Sequence, residues 1–329
     1  RHEESAAFMA VADAKYSGAV GVVTSTQGPG AMHLLNGLYD AKLDSVPVVA
    51  LVAQQHTSVL GSGYQQEINL GNVFADVAGP YLQTVSSAEQ APMVIDRAFR
   101  SALTHRTPVV VILPHDVQNA EAPELGEDLD QEHGVVVTAP EWTHGVTAPR
   151  DDDVARAVEV LDAGERIAIL AGRGVAGAQA ELMELAERLD AGVTRSLLAR
   201  AVQIDLDPVH LANRYPIEVG MVGDAAAALR ELTGRVADRD RSAWRGDVEK
   251  WVGQWWEISR MRSGVSARGL NPELVARRLG ERLPHDARLA VDVGSSVYHY
   301  VRQISLPTTV PAHLSSTLAS MGCGIPYAI

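Results

Sequence analysis

Two spacings of apolar residues alternate along the first 120 positions. An acidic pair, Glu3 and Glu4, opens a stretch in which AAFMA supplies an apolar face at helical spacing, and Gly18 ends it. GVVT then reads as a short buried strand. QGPG is a turn, a second helix runs on from Ala31, and VPVVALVA is a second strand. Helix, strand, glycine-rich turn, helix, strand is one winding of a parallel α/β sheet. Further on, SAEQAPMVIDRAFRSALTH has helical periodicity with Ser87 as candidate N-cap, and PVVVILP has the all-apolar character of a parallel strand covered on both faces. The turn Gly28-Pro29-Gly30 falls where a strand gives way to a helix. Ligands of such sheets bind at that position, although many such turns only reverse the chain.

The same alternation recurs twice. Residues 121–150 are acidic and then rich in Pro, Gly and Thr, which reads as a linker. From Asp151 to about residue 235 a second α/β unit follows: DDDVARAVEVLDAG is a helix with acids at its positive end, and RIAILAGRGVAGAQAELMELAERL is strand, turn, helix. Gly172 and Gly174 in that turn approximate a dinucleotide fingerprint, a pattern that helix–strand packing alone also produces. Residues 236–270 form a charged helical linker in which Trp251 and Trp255, one turn apart, share a face. That face packs between domains or lies on a membrane surface. Residues 271–329 begin a third unit, with Asn271 as a cap ahead of Pro272, strand-then-turn in ARLAVDVGSS, and a helix after SMGCG.

Composition narrows the function. Among 329 residues the net charge is −13, and no basic patch gathers to meet phosphates, so nucleic acid is not an expected partner. One cysteine, Cys323, leaves no intramolecular disulfide to form and suits a reducing cytoplasm. No apolar run approaches the ~20 residues that span a bilayer.

RHEESAAFMA, GPGAMHLLNGLYDAK, VPVVAL, GSGYQQE, VSSAEQ and VVVILPHDV together resemble the pyrimidine-binding domain of thiamine diphosphate enzymes, in the pyruvate oxidase and quinone-dependent pyruvate dehydrogenase branch, with acetolactate synthases as relatives. The resemblance covers residues 1–120 and returns in patches to the end. It implies three doubly wound parallel-sheet domains: pyrimidine-binding, middle Rossmann-like and diphosphate-binding. It also implies a strand and helix before Arg1, about fifty further residues near Ala199–Arg200, and a continuation of the third domain past Ile329. That continuation carries the family's GDG…Asn magnesium motif, which these residues lack.

The resemblance implies a chemistry as well. The thiazolium C2 of thiamine diphosphate must lose a proton, and a carboxylic acid on the cofactor's pyrimidine enables it. By position that acid is Glu3, and burial in an apolar interface would raise its pKa. Without the resemblance, Glu3 reads first as a complement to a helix N-terminus. His33 stands where pyruvate oxidases have a histidine, able to relay a proton or orient substrate, or else merely packed in the core. Gln66 and Glu67 match a Phe-Gln-Glu motif whose Phe is here Gln65, which leaves the fate of the intermediate open. Met321, beside Ala319 and Ser320, matches the apolar prop that bends the cofactor, with ordinary core as the alternative. Gly28, Pro29 and Gly30 line the pyrimidine side. Gly294 and Ser295 could give backbone contacts to diphosphate, with Mg2+ beyond this stretch. For FAD the resemblance points to Asp205 and, less directly, Gly172 and Gly174.

The expected activity is thiamine diphosphate- and FAD-dependent oxidative decarboxylation of pyruvate, with quinone or oxygen as acceptor. An acetolactate-synthase-type carboligase and a non-catalytic binding paralogue are the alternatives. The expected assembly is a homodimer or homotetramer with the site across the subunit interface. It would be cytoplasmic or peripheral at the inner membrane face.

Overall fold

The computed structural model describes residues 2–122, 143, 145–194, 201–213, 216–307 and 309–329. They form two compact units, Arg1–Trp142 with Arg262–Ile329, and Thr143–Met261. Most of the 121–150 linker and the Ala199–Arg200 junction lie outside the described residues. The sequence sets 271–329 apart as the start of its own domain; in the structure these residues share a compact unit with the first segment.

The first unit is built on a four-stranded parallel sheet. Its strands are β1 (Gly21–Ser25), β2 (Val48–Gln54), β3 (Leu82–Thr84) and β4 (Pro108–Pro114), in the order β1-β2-β4-β3. Side chains alternate across a strand, so one apolar run can feed two cores. Val48, Ala50 and Val52 face a cluster with Phe8, Val11, Leu34, Leu38 and Phe74. Val49, Val109 and Val111 face another with Val94, Ala98 and Ala102. Helices α1 (Glu3–Ser17), α2 (Pro29–His33), α3 (Leu35–Leu43) and α4 (Leu70–Phe74) supply the first cluster, and α5 (Ala91–His105) the second. This is the doubly wound arrangement the apolar pattern predicts.

Gly18 ends α1 in the left-handed conformation (φ 75°), its N–H reaching Ala14 O. Two local expectations change. Met9, in the apolar run of α1, is exposed. Ser87 does not cap α5: a turn from Ser87 to Gln90 precedes it, Gln90 reaches back to the Ser86 N–H, and the helix starts at Ala91-Pro92. Proline suits the first turn, because it has no N–H to leave unpaired.

The later part of this unit contains α11 (Pro272–Gly280), capped by Asn271, then β9 (Leu289–Ala290), α12 (Ser295–Gln303), β10 (Ala312–His313) and α13 (Gly324–Ala328). Strands β9 and β10 pair in parallel. A buried polar cluster joins this part to α1 and α3. Lys15 Nζ donates to Asp44 Oδ2 (2.7 Å), Leu314 O (2.8 Å) and Tyr327 Oη (2.8 Å). Asp44 also accepts from the N–H groups of Ser316 and Thr317, and Asp40 from the hydroxyls of Ser315 and Tyr327.

The second unit holds α7 (Asp151–Ala163), with three aspartates in its first turn, and two parallel strand pairs. One pair is β5 (Ala168–Leu170) with β6 (Gly192–Thr194); the other is β7 (Val202–Asp205) with β8 (Val219–Val222). Helices α8 (Gln179–Arg188) and α9 (Ala225–Arg235) pack with them around Leu182, Leu185, Met221 and Leu232. Helix α10 (Ser242–Ser263) is the predicted charged helix, with Trp251 and Trp255 exposed.

Candidate active site

Three loops leave the carboxyl edge of the four-stranded sheet, where ligands of such sheets bind. They are the QGPG turn after β1, the segment 55–67 after β2, and α6 (His115–Gln118) after β4. Their contacts define the site.

Glu3 is the first residue of α1, next to the GPG turn. A Cβ on Gly30 would lie 3.1 Å from Glu3 Oε1 and 2.6 Å from Thr26 Cγ2, so only glycine lets the turn back this closely onto the carboxylate. His33, at the end of α2, donates from Nδ1 to Glu3 Oε2 at 3.1 Å. That contact fixes the tautomer: a carboxylate only accepts, so Nδ1 carries the proton. On the other side, Gly28 has φ 60° and ψ −119°. A Cβ there would stand 2.8 Å from Gln66 Cβ and 3.0 Å from Gln66 O. Glu3, His33, the GPG turn and Gln66 are therefore brought together, as their positions in sequence imply.

The electrostatics differ from expectation. The Glu3 side chain is not sunk in an apolar interface; it is 31% exposed. The His33 hydrogen bond, ahead of the modest effect of burial, holds its carboxyl below the usual carboxylate range rather than above it. His33 itself is largely exposed rather than packed in the core.

Sequence reasoning missed His2. Its ring stacks on His33 (centroids 4.5 Å apart, planes 25°), and its Nδ1 accepts the Glu4 N–H as the N-cap of α1. The signal was its place immediately before a helix-opening acid pair. His2, Glu3 and His33 each offer a ligating atom within 4.8 Å of the others. His2 Nδ1 is engaged as the α1 cap. Within the trio, His33 foremost and His2 more weakly hold the Glu3 carboxyl down.

The second cluster comes from the later segment. Glu4 Oε1 accepts from Asn36 Nδ2 (2.6 Å), which also donates to Ser320 Oγ (3.2 Å). Ser320 and Met321 are thus tied to the glutamate beside Glu3. Met321 is not core: it is 80% exposed. Ala319, before it, has φ 57°. Asp292 Oδ1 accepts from the N–H groups of Val293 (2.7 Å) and Gly322 (2.8 Å), which fastens the Met321 turn to the VDVGSS turn. There Gly294 (φ 104°) is the N-cap of α12, and no side chain caps its N–H groups. Ser295 and Ser296 open the helix and are exposed.

The proposed flavin residues lie in the other unit. Asp205 ends β7 and accepts from Asp207 N–H (3.1 Å), with His210 Nδ1 3.5 Å away. Gly172 and Gly174 follow β5 but do not open a helix. A 3-10 turn, Arg173–Val175, comes between, and α8 starts only at Gln179. The dinucleotide fingerprint needs its glycines at a helix N-terminus. The glycine spacing is therefore present without an α-helix starting at its first two glycines.

The residues fit thiamine diphosphate on two observations: a partly exposed carboxylate backed by a glycine turn that no side chain can fill, and an open helix N-terminus at a positive-φ glycine, suited to an anion. A further buried donor is available: Ser25 Oγ, at the last position of β1, has no hydrogen-bond partner among the described residues.

The chain is 31% identical over its full length to "Putative thiamine pyrophosphate-containing protein YdaP" of Bacillus subtilis. It is 29% identical over its full length to pyruvate oxidase of Lactiplantibacillus plantarum, and 26% to a probable acetolactate synthase large subunit of Methanocaldococcus jannaschii. It spans 64%, 62% and 65% of the lengths of these relatives. The first alignment runs over 379 positions against 329 residues here, so about 50 positions of that relative have no counterpart. Residues 1–73, which carry Glu3, the GPG turn, His33 and Gln66, match the thiamine pyrophosphate enzyme N-terminal TPP binding domain, so the chain carries the N-terminal domain of that family.

Proposed function

We propose that the intact protein catalyses oxidative decarboxylation of pyruvate, in the manner of a pyruvate oxidase or pyruvate:quinone oxidoreductase. Pyruvate would lose carbon dioxide and two electrons to give acetate, or acetyl phosphate where phosphate replaces water. The electrons would pass to FAD and on to quinone or oxygen. The observation that carries this reading is the His33–Glu3 pair at the GPG turn.

Bound thiamine diphosphate supplies the carbon nucleophile and the electron sink. This chain supplies position and protons. Glu3 would hold the pyrimidine nitrogen, with Gly28, Pro29 and Gly30 lining that side. His33, exposed and bonded to Glu3 through Nδ1, can pass a proton between that carboxyl and solvent. Gln66, packed on Gly28, is placed to orient the keto acid. Gly294 and Ser295 would present backbone N–H groups to the diphosphate, whose Mg2+ would need ligands beyond these. Met321, with Ala319 and Ser320 beside it, would supply an apolar contact to the cofactor. FAD rests on the position of Asp205 and on the pyruvate oxidase-like relative; no step is assigned to the second unit.

A second reading, an acetolactate-synthase-type carboligase, is supported by the acetolactate synthase relatives; Gln65, standing in place of the motif's aromatic residue, favours neither. Pyruvate with ferricyanide as acceptor separates the two. Acceptor reduction with acetate formation supports the oxidase, and acetolactate without acceptor reduction supports the carboligase. Failure to bind thiamine diphosphate with Mg2+ would leave a non-catalytic paralogue. The oxidase reading also proposes a homodimer or homotetramer with its site between subunits, in the cytoplasm or at the inner membrane face. No described helix is long and apolar enough to cross a membrane.

A further inference from the structure

Gln66 has φ 64°, in the left-handed region. A residue with a Cβ persists there only when its surroundings over-determine it. The neighbours of Gln66 do so from both sides. Before it, Gln55 Nε2 donates to Gln65 O at 2.7 Å. After it, the Glu67 carboxylate accepts three backbone N–H groups: Gly61 at 2.5 Å, and Gly63 and Tyr64 at 3.0 Å each. Gly61 (φ 86°) and Gly63 (φ 73°) take backbone shapes that turn those N–H groups inward. The Glu67 N–H closes the ring on Tyr64 O at 2.9 Å. Beyond it, Gln54 Nε2 donates to Ile68 O at 3.1 Å. At the far end of the loop, Asp116 receives both the N–H and the hydroxyl of Thr57.

We infer that Glu67 is a positioning residue: its carboxylate gathers the Gly61–Tyr64 turn and thereby fixes the backbone of Gln66 against the GPG turn, governing the handling of the keto acid rather than the binding of cofactor. This rests on the reading above for the role of Gln66. The geometry fits a carboxylate rather than a neutral amide, since three donors converge on it and charge-assisted bonds are the stronger kind. The amides, Gly61's foremost, hold the Glu67 carboxyl below its ordinary range, so the charge persists at neutral pH. Glu67 is a surface-loop residue, so its removal leaves both apolar clusters of the first unit intact.

Glu67→Gln in the intact protein tests the inference. Hydrogen exchange at the Gly61, Gly63 and Tyr64 amides should quicken by roughly tenfold or more. The kcat/KM for pyruvate should fall by a similar factor, with the Kd for thiamine diphosphate and the Tm unchanged. Glu67→Asp, which keeps the charge, should recover part of the loss. Unchanged exchange at those amides would overturn the inference. So would faster exchange with unaltered kcat/KM, which leaves Glu67 merely structural. If the wild type forms acetolactate instead, the same ratio is read on that product. If it turns over no keto acid, the functional reading fails, and the exchange data alone decide whether Glu67 holds the turn.

Discussion

Replacing Lys15 by Met removes one cation from the most deeply buried polar cluster of the first unit. The Lys15 side chain is 4% exposed and that of Asp44 2%, so neither charge is screened by water. Truncating one partner of a buried pair leaves an unpaired charge, at a cost of about 3–5 kcal/mol. Asp44 would keep the Ser316 N–H (3.0 Å), the Ser316 hydroxyl (2.7 Å) and the Thr317 N–H (2.9 Å). Those donors place the expected loss near the lower bound, about 3 kcal/mol. Met matches the length of the lysine stem, so no large cavity contributes. For a unit of this size the loss lowers Tm by roughly 6–12 °C. Thermal and urea unfolding, followed by circular dichroism, measure it. Adding Asp44→Asn removes the orphaned charge, so the double variant should lose less than the sum of the single losses. A Lys15→Met protein within about 1 kcal/mol of wild type, or strictly additive losses, would refute the reasoning.

Three further outcomes follow from the geometry. Gly30→Ala drives a Cβ against Thr26 and Glu3; it should cost roughly 1–3 kcal/mol and weaken thiamine diphosphate binding in a titration with Mg2+ present. Asp44 is held at about 2, against its ordinary 3.8, by Lys15 and the Ser316 donors outweighing burial. A depressed pKa stabilises above the unfolded value, so about 2 kcal/mol should be lost as pH falls from near 4 to 2. Burial pushes Asp40 the other way, so Asp40→Asn should isolate the Asp44 limb in acid denaturation. Asn36→Leu cuts the link from Glu4 to Ser320 and should raise the Kd for thiamine diphosphate while moving Tm by less than about 2 °C, the signature of an exposed hydrogen bond.

The parts of this account that the sequence revealed are those that depend on nearby residues. Glu3, the GPG turn and His33 fall within one helix–strand–helix winding, where period and glycine placement fix neighbours. The double winding was legible because VPVVALVA and PVVVILP are apolar on both faces. The Lys15 cluster was not legible. Its partners Leu314 and Tyr327 lie about 300 residues along the chain, and a lysine in the last turn of a helix reads as a dipole complement. The sense of the Glu3 shift was not legible: family position implies burial, whereas His33 and partial exposure decide it. The α5 start was not legible because Gln90, through the Ser86 N–H, and not Ser87, organises that turn. Gly172 and Gly174 have the spacing of a nucleotide turn, but the start of α8 at Gln179 is not legible from that spacing.

The central claim is that Glu3 activates thiamine diphosphate. Its most direct test is the rate at which the C2 proton of bound thiamine diphosphate exchanges with deuterium in the intact protein, wild type against Glu3→Gln, with Mg2+ and no substrate. Exchange roughly 10²–10⁴-fold slower in Glu3→Gln, with the fold intact by circular dichroism, is the predicted result. An unchanged exchange rate in a folded, cofactor-loaded Glu3→Gln protein would contradict it.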